Sequence, residues 1–300
     1  MASHHLDDTR PHAFWDNSHP PRLRIQSGDT VVFEVLEASS NQIGPESTTD
    51  TLKTLSFDPI APLTGPVYVE GAEPADALEV EVISLAHKGW GWGAILPDFG
   101  LLADDFKQPY LHMSRIEGPW CWFSPHIRIP YEPFCGTMGV APAEPGRFNT
   151  LPPRRNGGNL DIRHLTPGAR LLLPVLAHGA LFSCGDCHAA QGDGEVNGTA
   201  IETALKGTFE FHVRKDLKWR MPRAETPSHL IAFGLNVDLD DAARQALKEM
   251  IAWITALTGI SKDEAYSLCS FAADLHVTQT VNNVKGVHAM IDKNLLRKPA

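Results

Sequence analysis

Leu78-Glu79-Val80-Glu81-Val82-Ile83 changes character at nearly every step, apolar then acidic. A period of two puts the apolar set on one face of a strand and the acids on the other. Outward from this stretch the pattern recurs. Arg22-Leu23-Arg24-Ile25 runs into Ser27-Gly28-Asp29, and Val31-Val32-Phe33-Glu34-Val35-Leu36 follows. Ser27-Gly28-Asp29-Thr30-Val31, Pro74-Ala75-Asp76-Ala77-Leu78 and Pro167-Gly168-Ala169-Arg170-Leu171 each set a tight turn before an apolar strand. Such turns read either as chemistry common to all β proteins or as a duplicated barrel or sandwich unit. The chain of 300 residues holds 24 Gly and 23 Pro. They recur every few positions through the first two thirds and exclude long central helices there.

The last third changes period. Ala243, Leu247, Met250, Ile251, Ile254 and Leu257 fall near helical spacing over 240–258, with acids at the start and Gly259 just past the end. Ser261-Lys262-Asp263-Glu264 reads as a capping box opening a second helix through Phe271, and Leu275-His276-Val277-Thr278-Gln279-Thr280-Val281 as a returning strand. The expected class is mainly β with an α/β portion (α+β) and a helix pair near the C-terminus. The best breakpoint is the Pro-rich stretch 142–153. It suggests a β-rich part over 1–150, a β-hairpin region over 151–235 and an α/β part over 236–300.

Composition narrows the partners. Hydrophobic residues make up 43% of the chain, enough to order a core. Lys+Arg total 26 against 36 Asp+Glu, a net charge of −10, which argues against nucleic acid and against an anionic membrane surface. Met1-Ala2-Ser3-His4-His5-Leu6 shows no basic segment ahead of an apolar one, so no secretory signal is expected. The longest apolar run, 171–182, is interrupted by Pro174, His178 and Gly179 and falls short of the roughly 20 residues that span a bilayer. Five cysteines in a long chain read as reduced thiols in the cytoplasm.

Candidate chemistry concentrates in two polar clusters. Asn156-Gly157-Gly158-Asn159-Leu160-Asp161 is the first; Gly185-Asp186-Cys187-His188-Ala189-Ala190-Gln191-Gly192-Asp193-Gly194-Glu195 is the second. The apolar stretches between them, 171–176 and 180–182, are expected to form a hairpin that lifts both clusters to one rim. On a strand, Asp186 and His188 share a face. With Asp161 they make a plausible divalent-metal site, and Glu195 after its flexible Gly-Asp-Gly can serve as fourth ligand or general base. Taken singly, each piece is as well explained by turn formation; their concentration favours a site. Cys184-Gly185-Asp186-Cys187 has no second C-x-x-C to complete a zinc or redox motif, so these cysteines read as buried small residues, with Cys187 at most lining the site. The glycines at 157 and 158 lack the rest of a phosphate loop. Trp90-Gly91-Trp92-Gly93 and Trp120-Cys121-Trp122-Phe123 suit core packing, an oligomer contact or an apolar pocket wall.

The 156–161 run, the segment from Leu173-Pro174-Val175 to Phe182 and above all Gly185 through Glu195 resemble the acetamidase/formamidase family. So do Gly65-Pro66-Val67-Tyr68-Val69-Glu70-Gly71-Ala72-Glu73-Pro74, Phe134-Cys135-Gly136-Thr137-Met138-Gly139-Val140-Ala141-Pro142 and Glu264-Ala265-Tyr266-Ser267-Leu268-Cys269-Ser270. The resemblance runs in order along nearly the whole chain, with Ala75 and Cys187 as departures. It implies packed β-barrel and β-sandwich units, a cytoplasmic homo-oligomer, and hydrolysis of small aliphatic amides to carboxylate and ammonia. No Ser-Lys or Cys-Glu-Lys arrangement offers a nucleophile, which leaves water activated by metal. The expected ligands are Asp161, Asp186 and His188, around zinc first and calcium, magnesium or manganese otherwise. Glu195 is expected to move protons, with Asn159, Gln191 and Asp193 orienting ligands or substrate. Glu202 stands open between an additional carboxylate and a structural salt bridge. Two rival readings are a cupin-like metal-dependent dioxygenase or lyase, and a non-catalytic amide-binding protein with a structural metal.

Overall fold

The computed structural model describes residues 1–296. The strand Ala77–His87 lies inside a nine-stranded sheet, between Leu205–Arg214 and Arg170–Pro174. Its alternation behaves as read: Leu78, Val80 and Val82 are fully buried in the core. Glu79, on the other face, is buried too, and is covered by Arg170 and Arg214. A five-stranded sheet carries Gly157–Asn159, Phe134–Gly139, Phe182–His188, Leu63–Val69 and Leu23–Ile25 in that order. The main core lies between these two sheets. Phe33, Phe182, Phe209 and Phe211 interlock at its centre with ring centroids 5.1–6.5 Å apart. Sheets of four and two strands complete the β architecture. Every strand order is open, and no closed barrel occurs among the described residues. The nine-stranded sheet draws strands from 1–150, 151–235 and 236–300 alike.

One expectation fails here. Arg170–Pro174 and Phe182–His188 are not a hairpin; they belong to different sheets. Gly179, Ala180 and Leu181 all take positive φ, at 73°, 59° and 57°, and these left-handed residues carry the chain across the core. Both strands can then turn apolar side chains inward from opposite sides, which a hairpin in one sheet cannot do.

The helix pair covers the outer face of the large sheet. α1 spans Leu239–Thr258, begins at Asp238, whose side chain accepts from Asp241 N, and ends at Gly259 with φ 76°. α2 spans Lys262–Ala272 behind the Ser261/Glu264 capping box. The buried stripe of α1 is Ala242, Ala246, Met250, Trp253 and Ile254. It is rotated from the expected one, since Ala243, Leu247 and Ile251 are only half-buried. The cause is close approach: a Cβ on Gly234 would lie 2.5 Å from the Ala246 nitrogen and closer still to the Ala242 carbonyl. The alanines therefore face the strand His229–Asn236. Among the described residues no helix is long and apolar enough to cross a membrane.

Candidate active site

The strand Phe182–His188 is central in its sheet, bonded to Phe134–Gly139 on one side and Leu63–Val69 on the other. Cys184 and Cys187 both pack into the core, although residues three apart on a regular strand face opposite ways. Asp186 lies between them at φ 53°. That left-handed residue breaks the pleat, sends Cys187 inward and frees Asp186 and His188 for the site. The cysteines are thus buried packing residues, all five thiols being free.

Asp161 follows the strand Gly157–Asn159, also with positive φ, 53°, and its N–H donates to the Gly136 carbonyl at 3.1 Å. Glu195 stands at φ 43° on a turn stitched to the neighbouring strand: Gly194 donates to Thr278 O at 3.0 Å, and Thr280 N to Gly194 O at 3.1 Å. Non-glycine residues in this region are strained, and strain of this kind collects at functional sites.

Four of the expected residues converge. Asp161, Asp186 and His188 each place one ligand atom within 4.8 Å of the others, and so do His188, Glu195 and Glu202. His188 Nε2 lies 3.2 Å from Glu202 Oε2 and 3.5 Å from Asp186 Oδ1. Glu202 is therefore part of the centre, held by Ala200 N donating to Oε1 at 2.9 Å. Gly136 makes the room: a Cβ there would sit 2.6 Å from Asp161 Oδ1 and 2.7 Å from His188 Cε1. Asn282, which sequence reading missed, donates to Asp161 Oδ2 at 2.6 Å. It arrives from a turn more than a hundred residues away, with no local motif to mark it.

The remaining expected residues divide. Asn159 is buried and accepts from Thr137 Oγ1 at 2.6 Å. Gln191 braces Asp161 by donating to its carbonyl at 3.0 Å. Asp193 is turned away from the centre, towards His276 Nδ1 at 3.0 Å.

Burial drives the electrostatics. It pushes the Asp161 carboxyl up to about 8, helped by the charge of Asp186. It raises Glu195 well above the usual carboxylate range, with Asp161 adding to the effect, and raises Glu202 as well. For His188 burial works downward, but Glu202 and Asp186 outweigh it and hold the imidazole well above its ordinary value. Among the described residues no lysine or arginine pairs with these four carboxyls. Asp161 Oδ1, Glu195 Oε2, Glu202 Oε2 and His188 Nε2 are buried without hydrogen-bond partners. Such a set is costly unless something positive completes it. Oxygen donors with one imidazole nitrogen fit a divalent cation.

A cavity of about 380 Å³ opens onto this centre. Its floor is Asn159, Asp186, Glu195, Glu202 and Asn282; Trp92, Leu96, Phe99 and Ile60 are among its apolar walls. Trp92 is fixed by donating from Nε1 to Glu37 at 2.8 Å.

Comparison with known proteins gives a consistent pattern. The sequence model of the Acetamidase/Formamidase family matches residues 2–147 and 143–291. The crystal structure of acetamidase from Bacillus halodurans superposes with a TM-score of 0.92 at 34% identity, covering 97% of this chain and 98% of that one. A predicted acetamidase/formamidase from Thermoanaerobacter tengcongensis gives a TM-score of 0.93 at 28% identity, with 99% and 98% covered. Acetamidase of Mycolicibacterium smegmatis is 28% identical over 265 residues, 67% of this chain and 65% of that protein, so the match spans just under two thirds of that relative's length.

Proposed function

This chain belongs to the acetamidase/formamidase family, and on that premise we propose that it hydrolyses a small aliphatic amide, formamide, acetamide or a close relative, to carboxylate and ammonia. Asp161, Asp186 and His188 would hold a divalent cation, with Glu202 beside His188; the mixed oxygen and nitrogen donors favour zinc, with calcium, magnesium or manganese as alternatives. When bound, such a cation supplies the positive charge that acidifies water and polarises a carbonyl.

The chain's own groups do the rest. Glu195 sits at the cavity floor with Oε2 free of hydrogen bonds. Its raised affinity for protons suits a group that takes one from the attacking water and passes it to the departing nitrogen. Water adds to the amide carbon, forming the C–O bond and a tetrahedral adduct; the C–N bond breaks as that adduct collapses, and the two protons of water end on ammonia and on solvent once the acid ionises. Asn282 and Gln191 hold Asp161 from two sides. Asn159 is placed on the floor to meet the amide group, and Trp92, Leu96 and Phe99 exclude water and limit the acyl chain. A cytoplasmic homo-oligomer is part of the proposal, and the five free, buried thiols fit a reducing compartment.

The convergence of four carboxyls on one imidazole at the floor of an apolar cavity supports this reading most. It is tested by ammonia release from a panel of short amides by wild type and Glu195→Gln. We expect turnover that falls about 10²- to 10⁴-fold in the variant while the fold and cation content are kept. No release from any amide, or an unchanged rate in Glu195→Gln, would overturn it.

A further inference from the structure

A second group of ligand-type side chains shares no residue with the carboxylate centre. His164, Asp193 and His288 each bring one ligand atom within 4.8 Å of the other two. His288 is fully buried, and its Nε2 has no hydrogen-bond partner; His164 Nε2 is likewise buried and unpartnered. The other nitrogen of His288, Nδ1, is 2.7 Å from Thr278 Oγ1. A histidine that donates from Nδ1 to an oxygen keeps its lone pair on Nε2, the arrangement found behind metal-bound imidazoles.

His276 completes the cluster. Its ring is stacked on His288 with centroids 4.8 Å apart and planes 2° from parallel, and its Nδ1 meets Asp193 Oδ2 at 3.0 Å. His164 stands edge-on to both rings. The neighbouring Arg163 is paired with Glu132 at 2.8 Å. Imidazoles packed for structure alone would be expected to satisfy their nitrogens; here two Nε2 atoms are orphaned beside one carboxylate.

We propose that His164, Asp193 and His288 form a second divalent-cation site, of the zinc type, with His276 orienting Asp193. Two imidazoles and a carboxylate are a donor set suited to zinc, with a fourth position for water. The site is structural in character. It clamps the Gly192-Asp193-Gly194 turn to the strand pair Ala273–Gln279 and Lys285–Asp292, and Glu195 is the next residue on that turn. The inference does not depend on the proposed amidase activity.

The test is cobalt(II) titration of the metal-stripped full-length chain, reading equivalents bound and the visible absorption of the bound ion. His164→Gln and Asp193→Asn should each bind one equivalent fewer than wild type, whereas Asp161→Asn with Asp186→Asn should lose a different one. If the carboxylate centre takes no cobalt, wild type binds one equivalent and His164→Gln none, which still supports the second site. Asp193 is exposed, so its variant decides the matter should His164→Gln fail to fold. Equal stoichiometry and an unchanged spectrum in Asp193→Asn would overturn the proposal.

Discussion

The carboxylate centre and the helix-covered face of the nine-stranded sheet are both buried, by opposite means. Under the helices, Ala246, Met250, Trp253 and Ile254 meet Leu230, Ala232 and Ala289, and both helices are capped. Caps and apolar burial there agree with the fold, although Arg223, packed between Trp219 and Trp253, keeps two nitrogens without partners. At the centre three of four carboxyl residues occupy left-handed backbone, and five side-chain atoms of the carboxyls and His188 lack partners. One region holds the molecule together; the other is held in place by it.

The contrast breaks if substitutions fail to separate stability from activity. The largest effect on stability is expected from Met250→Ala, fully buried on the inner face of α1. Chemical denaturation should show a loss of about 2–5 kcal/mol, with kcat/KM unchanged under conditions where the variant is folded. Gly136→Ala should do the reverse. Its methyl group would displace Asp161 or His188, and a misplacement of this size should lower kcat/KM about 10²-fold. Thermal unfolding should move far less than in Met250→Ala.

The contrast sharpens with pH. Asp161, pushed up to about 8, keeps its proton in the folded chain across a range where the unfolded carboxyl, with an ordinary value of 3.8, has lost it. Its contribution to the stability of the cation-free protein is therefore fully present below about pH 4 and is lost as pH rises through about 8. Tm of the stripped protein should be lower at about pH 9 than at about pH 5, and restoring a divalent cation should shrink that difference. A stripped protein that gains stability with rising pH would contradict the centre's electrostatics. The smallest effect is expected at the helix start, where Ser261→Ala removes half of a capping box and should cost about 1 kcal/mol in denaturation, with no change in activity.

Legibility in the sequence follows the same division. The strands read at 22–25, 31–36 and 78–83, found at 23–25, 30–35 and 77–87, and both helices were legible because period, caps and turn residues are local properties. Asp161, Asp186, His188 and Glu195 were readable because they crowd into two short Gly-rich stretches. The crossing between sheets at 177–181 was not, since continuous apolar runs look alike in a hairpin and in two facing strands. The turn of α1 was misjudged by about one residue because Gly234, on another element, sets it. Asn282 and the inward aim of Glu202 depend on tertiary approach alone. Asp193 shares a motif with Glu195 yet faces the histidines of another strand pair, because adjacent residues on a tight turn need not point to one site.

We propose that the buried, acid-rich centre hydrolyses amides only with a divalent cation in place. Ammonia release from formamide and acetamide, measured before chelation, after it and after stepwise return of zinc, examines that claim directly. Turnover should disappear on stripping and return as the cation is restored. Turnover that persists undiminished in protein shown by elemental analysis to be free of divalent metal would contradict it.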